Sequence, residues 1–120
     1  IEEKIVFTGF TGDVNEHMKL CDCVVLATKK ETFGLVLIEA MMNNVCTIAT
    51  NNGGPLEIID DGVNGLLFER SNEELASKIK YLYDDTQKRV SLAQAGYEKA
   101  KREFEYQTQM QKMYSLIEKM

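Results

Sequence analysis

Cys23-Val24-Val25-Leu26-Ala27 is a short apolar run and Thr28-Lys29-Lys30-Glu31-Thr32 a polar loop. Phe33-Gly34-Leu35-Val36-Leu37-Ile38-Glu39-Ala40-Met41-Met42 has helical spacing, and Val45-Cys46-Thr47-Ile48-Ala49 is a second apolar run. Nearly continuous apolar runs of this length, with β-branched residues inside and polar residues at their bounds, predict strands buried on both faces, as in a parallel sheet. Working outward, Ile5-Val6-Phe7 and Gly65-Leu66-Leu67-Phe68 supply two more strands. Val14 to Leu20 reads as a short helix that begins through Thr11-Gly12-Asp13, and Pro55 to Ile59 as one or two helical turns with Pro at the start. The order β-α-β-α-β-α-β predicts an α/β fold: a Rossmann-like, doubly wound parallel sheet with flanking helices and right-handed crossovers.

After Phe68 the chain becomes charged and amphipathic. Ser71 followed by Glu74 has the spacing of a capping box, and Leu75, Ile79 and Leu82 then mark one apolar face. Two further helices are expected, from about Gln87 to Glu103 and from about Tyr106 to Lys119. On the last, Met110, Met113, Tyr114 and Ile117 share one stripe, which predicts docking onto the body of the protein.

The 120 residues form a single expected domain, 1–120. At this size roughly 65% of the unfolded chain's surface can be buried, so a core can form without disulfides or a structural metal. A net charge of −5 with no long basic run argues against general nucleic-acid binding. No stretch reaches the roughly 20 apolar residues of a membrane span, and the first residues lack the order of a signal peptide. The expected compartment is cytoplasmic, in which Cys21, Cys23 and Cys46 read as small buried hydrophobes. With His17 alone nearby, Cys21 and Cys23 fall short of a zinc ligand set, so no metal is expected. The chain begins without Met, directly on an apolar run, which suggests a piece of a longer polypeptide.

In an open parallel sheet, ligands bind outside the carboxyl ends of the strands. The loops after the strands are Thr8 to Gly12, Thr28 to Gly34, Thr50 to Gly54 and Glu69-Arg70. The second leads into a helix near Thr32 to Gly34, where free backbone N–H groups make an anion site, Gly34 admits close approach and Thr32 can cap. Glu39 is the only charged residue between Phe33 and Met42 on a segment otherwise suited to burial, so its carboxylate is expected to have partners or face a cleft. Counted from Phe33 it stands roughly 9 Å along the axis, which suits a ligand with phosphate at the helix end and hydroxyls farther along, such as a nucleotide diphosphate. Glu39 turned outward into solvent, or Glu31 far from the amino end of that helix, would collapse the ligand assignment.

Glu31, seven residues, Glu39, with Phe-Gly at the helix start and Glu-Ala at its middle, resembles the signature of retaining glycosyltransferases of the GT-B fold, glycosyltransferase family 4. Val6-Phe7-Thr8-Gly9-Phe10 is similar to the family's strand and Gly turn, and Leu20 to Ala27 to the helix and strand before the motif. Thr50 to Ile59 resembles its Gly-Gly-x-x-Glu loop, and Asp61 to Phe68 its Gly-x-x-Gly turn and last strand. The resemblance covers essentially the whole chain.

That resemblance implies a fragment of the nucleotide-sugar-binding C-terminal domain, with the acceptor domain and an earlier basic pair that grips the diphosphate both absent. Glu39 would hold the ribose and Glu31 the hydroxyls of the donor sugar. Backbone N–H groups near Phe33, Gly34 and Leu35 would face the diphosphate, with Thr32 beside them, and Gly9 and Phe10 would line the base pocket. The donor would be a UDP-, GDP- or ADP-linked sugar, with no further cofactor. The acceptor would be a glycan or a lipid-linked carrier, so membrane contact of the complete enzyme stays open. Alone, the fragment is expected to be inactive. Gly53 and Gly54 divide between a plain turn and a cleft-shaping role, Glu57 reads as structural and His17 as exposed. A nucleotide-sugar epimerase or hydrolase and a non-catalytic domain stay as alternatives on fold analogy. A receiver-like signalling domain is disfavoured, because Thr8-Gly9-Phe10 follows the first strand where an acidic pair is needed.

Overall fold

The structure, a computed structural model, describes residues 4–5, 14–27, 34–69 and 71–118. Within them the elements are α1 (Val14–Lys19), β1 (Cys23–Leu26), α2 (Leu35–Met42), β2 (Cys46–Thr50), α3 (Pro55–Ile58), β3 (Leu66–Phe68), α4 (Asn72–Asp84) and α5 (Thr86–Glu118). The three strands form a parallel sheet in the order β1-β2-β3, as the apolar runs predict. Cys23 pairs with Cys46, and Ile48 with Leu66. Of the expected first strand, Ile5 is exposed, while Val6 and Phe7 lie outside the described residues.

All five residues of β2 are buried, which is why its sequence is apolar or Thr throughout rather than alternating. On one face Cys46, Ile48, Leu66 and Phe68 pack against Leu82 of α4 and Leu92 and Ala93 of α5. On the other, Ala49 meets Leu37 and Met41 of α2, with Ile59 and Ala100 closing the cluster. Helix α5 therefore serves both clusters. Gly96 allows this approach, since a Cβ there would stand 3.1 Å from the Asn64 carbonyl and 3.2 Å from Met41 Cγ.

Local signals explain most boundaries. The Glu74 N–H donates to Ser71 Oγ at 3.1 Å, as the capping spacing predicts, and the Glu74 carboxylate turns back to accept the Glu69 N–H. Helix α2 ends with Asn44 at φ 60, a left-handed conformation that Asn tolerates, and the Val45 N–H reaches back to the Ala40 carbonyl. Asp85 closes α4 and its carboxylate accepts the Lys88 N–H, which opens α5.

The C-terminal region departs from the sequence reading. Two helices were expected, and one continuous helix of 33 residues is found. Lys101 to Glu105 contains neither Gly nor Pro, and four of its five residues are good helix formers, so nothing interrupts it. The expected docking of its last stripe is also corrected: Met113 and Ile117 are exposed, as is Leu116 beside them. At 1.5 Å per residue this helix is roughly 50 Å long, close to the 55 Å longest extent of the molecule, so its final turns run past the sheet layer.

Candidate functional site

The parallel strands bring Leu26, Thr50 and Phe68 to one end of the sheet, and three polar contacts fasten that edge. Thr50 Oγ1 donates to the Leu26 carbonyl at 3.2 Å, tying β1 to β2. The Asn51 N–H donates to the Phe68 carbonyl at 2.9 Å. The Asn51 side-chain amide donates to Glu69 Oε1 at 3.0 Å, tying β2 to β3. The sequence reading did not assign this Asn51–Glu69 bridge. Its signal was available, since both residues directly follow a strand in loops already singled out.

The first turn of α2 lies beside this edge. Gly34 is buried, holds its cap position at φ 63 and makes no side-chain cap bond. Its backbone fits glycine on two counts: the left-handed conformation, and the packing of α3, because a Cβ would stand 2.8 Å from Ile58 Cδ1. The same Cβ would stand 3.8 Å from Pro55 N, so the openings of α2 and α3 converge. Helix geometry leaves the first N–H groups of α2 without partners inside the helix, starting with Leu35. Leu35 is 61% exposed.

Glu39 corrects one expectation. It is exposed, and its carboxylate has no partner among the described residues. The apolar side chains of α2 divide unevenly: Leu37, Ala40 and Met41 are buried, while Leu35 and Glu39, four residues apart, share the outer stripe. Water therefore solvates this carboxylate, and burial gives it no need of a partner. The helix also begins at Leu35, so Glu39 stands about 6 Å from the first helical residue at 1.5 Å per residue, nearer than the sequence suggested.

Of the other expected site residues, Glu31, Thr32, Phe33, Gly9 and Phe10 lie outside the described residues. Gly53 takes φ 57, as a tight turn requires, and Gly54 caps α3. Glu57 and His17 are exposed. Cys46 is buried as expected and Cys23 half-buried, but Cys21 is exposed, a second correction. No group of three or more candidate metal ligands occurs among the described residues, and no described helix is long and apolar enough to cross a membrane. A cavity of about 330 Å³ lies away from the carboxyl edge, between the Asp61-Gly62 turn and Lys78, Tyr81 and Lys88.

The turn that leads into β3 is built around a residue sequence reasoning missed. Asn64 is 3% exposed, its amide donates to the Ile58 carbonyl at 3.0 Å, and its Oδ1 accepts the Asp60 N–H at 2.7 Å. Lys99 Nζ donates to the same Ile58 carbonyl at 2.8 Å and lies 3.7 Å from the Asp60 carboxylate. A cation at the carboxyl end of α3 complements the exposed carbonyls there. Sequence spacing carries no sign of a contact 41 residues apart.

The sequence pattern of the family described as glycosyl transferases group 1 matches residues 1–99. An uncharacterised glycosyltransferase of Methanocaldococcus jannaschii is 37% identical over 91 residues, covering 75% of this chain and 26% of that protein. The human alpha-1,3/1,6-mannosyltransferase ALG2 is 31% identical over 100 residues, covering 83% of this chain and 24% of its own length. Among solved structures, Anabaena HepE in complex with UDP-glucose superimposes with a TM-score of 0.88 at 32% identity, over 99% of this chain and 33% of that one. The C-terminal domain of the group 1 glycosyl transferase LpcC from Francisella tularensis gives 0.74 at 36% identity, over 83% of this chain and 52% of that domain's chain. The chain thus spans about a quarter to a third of the full-length relatives.

Proposed function

The chain belongs to the glycosyl transferases group 1, of the GT-B fold, and from that premise we propose that it is the later part of the donor-binding half of a glycosyltransferase. The complete enzyme would move a hexose from a nucleotide-diphosphate sugar to an acceptor hydroxyl with retention of configuration. The observation that carries the reading is the superposition of nearly the whole chain on HepE, whose structure was solved with UDP-glucose. No observation favours an epimerase, a hydrolase or a signalling domain.

The roles follow the resemblance. Backbone N–H groups at the start of α2, around Phe33, Gly34 and Leu35 with Thr32 beside them, face the diphosphate. In the transition state the sugar takes on oxocarbenium character while charge grows on the departing diphosphate. Preorganised N–H dipoles aimed at that charge stabilise it where it develops. Glu39 accepts from the ribose hydroxyls on the resemblance alone, because its exposure withdraws the ground that the sequence offered. Glu31 contacts the donor sugar, and Gly9 and Phe10 line the base pocket. The reading assigns no metal and no cofactor beyond the donor. A glycan or lipid-linked acceptor would be held by the acceptor half, with the enzyme in the cytoplasm or against a membrane facing it. Because the acceptor half and the diphosphate-gripping basic pair belong to other parts of such an enzyme, these 120 residues alone are inactive in this reading.

The test is titration of the intact protein with UDP-, GDP- and ADP-linked sugars, followed by NMR of the product formed with the best donor. One nucleotide class should bind, and the product should keep the donor's anomeric configuration. Glu31→Ala should depress turnover more than donor affinity. An inverted product would overturn retention alone, and failure of all three donors to bind would overturn the donor-site reading.

A further inference from the structure

The three cysteines run from solvent to core at the amino end of the sheet. Cys21 is exposed, Cys23 half-buried and Cys46 buried, and all three are free thiols. Cys23 and Cys46 are direct register partners at the start of β1 and β2. Both pack in the cluster that contains Leu82 and Leu92. Adjacent strands lie about 4.8 Å apart, inside the roughly 4.4–6.8 Å Cα separation that a disulfide spans. A cavity of about 120 Å³ reaches Cys23, walled by Asp22, Ile79, Leu82, Tyr83 and Arg89.

We propose that Cys23 and Cys46 form a thiol–disulfide exchange site that takes a low-molecular-weight acidic disulfide through the cavity beside Arg89. Hydrogen bonding between the two thiols, the largest influence on each, pushes Cys23 far above the usual thiol range and holds Cys46 below it, and Arg89 favours the thiolate of both. Once the pair has lost one proton, the other lies between the two sulfurs, and Cys46 can accept it from Cys23. Cys23, the more accessible sulfur, attacks one sulfur of the small disulfide; a Cys23–S bond forms, the small S–S bond breaks and the first thiolate leaves. Cys46 gives up its proton to that thiolate and attacks the Cys23 sulfur, expelling the second thiolate. Two protein thiols are oxidised by two electrons and the small disulfide is reduced to two thiols, one taking the pair's remaining proton and the other the proton first lost to water.

The bridge would enclose residues 24–45, and so the whole of α2 with Gly34, Leu35 and Glu39. It acts as a reversible staple on that segment, and closing such a loop restricts the unfolded chain. Oxidised protein should therefore melt at higher temperature than reduced protein.

The test uses oxidised glutathione on the intact protein carrying Cys21→Ser, which removes the exposed competitor. Cys23 and Cys46 should both be lost to thiol reagents with no adduct retained, peptide mapping should join Cys23 to Cys46, and a reductant should restore both. Adding Cys46→Ala should arrest the reaction as one glutathione adduct on Cys23. Arg89→Gln should slow the exchange several-fold more with oxidised glutathione than with a neutral disulfide. Retention of both thiols, stable adducts on both, or a Cys21–Cys23 link in the parent protein would overturn the site. Equal slowing with acidic and neutral disulfides would overturn the role of Arg89.

Discussion

The turn around Asn64 and the outer stripe of α2 place polar side chains in opposite circumstances. Asn64 is buried with both ends of its amide hydrogen-bonded, and Lys99 reinforces the carbonyl it serves. Glu39 is exposed and touches no partner among the described residues. Removing a buried, satisfied amide leaves its partners unpaired, whereas removing a solvated carboxylate costs the fold nothing comparable. Stability is concentrated at the first region, and the second is free to serve a ligand.

Gly65→Ala should be the most damaging change in the first region. Its Cβ would stand 2.6 Å from Thr47 Oγ1 and 3.2 Å from the Thr47 carbonyl, both in the fully buried central strand. Overpacking of that kind costs about 1–3 kcal/mol, to be read as a lower urea midpoint; an unchanged midpoint would contradict the packing of the turn on β2. Asn64→Ala should follow at about 2 kcal/mol, the order expected for unpaired buried groups. The same denaturation series decides it, and a loss below that of a surface substitution would end the contrast with Glu39.

Thr47 sharpens the comparison from the other side. Its hydroxyl is buried, yet makes no hydrogen bond among the described residues. Thr47→Val keeps the shape and removes the unpaired group, so it should stabilise by about 1 kcal/mol, the reverse sign of Asn64→Ala. A destabilised valine variant would show that the hydroxyl is satisfied in solution.

The sheet was legible because a buried parallel strand leaves a compact signature: Cys46 to Thr50 is apolar or small throughout, and all of it is buried. The capping of α4 by Ser71 was equally plain, since the cap and its partner lie three residues apart. Long-range features left no comparable trace. Lys99 bonding the end of α3, and Gly96 admitting Asn64 and Met41, depend on how α5 crosses the sheet. The break expected between Glu103 and Tyr106 falls where no residue stops a helix. The reason first given for Glu39 was wrong in kind: apolar neighbours in sequence do not bury a residue that falls on the outer stripe. The contact of Gly34 with Ile58 depends on the packing of α3, which no local pattern records.

The smallest effect on stability should come from Glu39→Ala, within about 0.5 kcal/mol for an exposed side chain with no partner among the described residues. The same variant carries the central claim. Calorimetric titration of the intact protein and of Glu39→Ala with the preferred nucleotide sugar, at matched unfolding midpoints, measures it directly. Loss of a charge-assisted hydrogen bond predicts about 1.5–3 kcal/mol, or roughly a 10- to 150-fold rise in Kd. A Kd equal to that of the parent protein would contradict the assignment of this carboxylate to the donor.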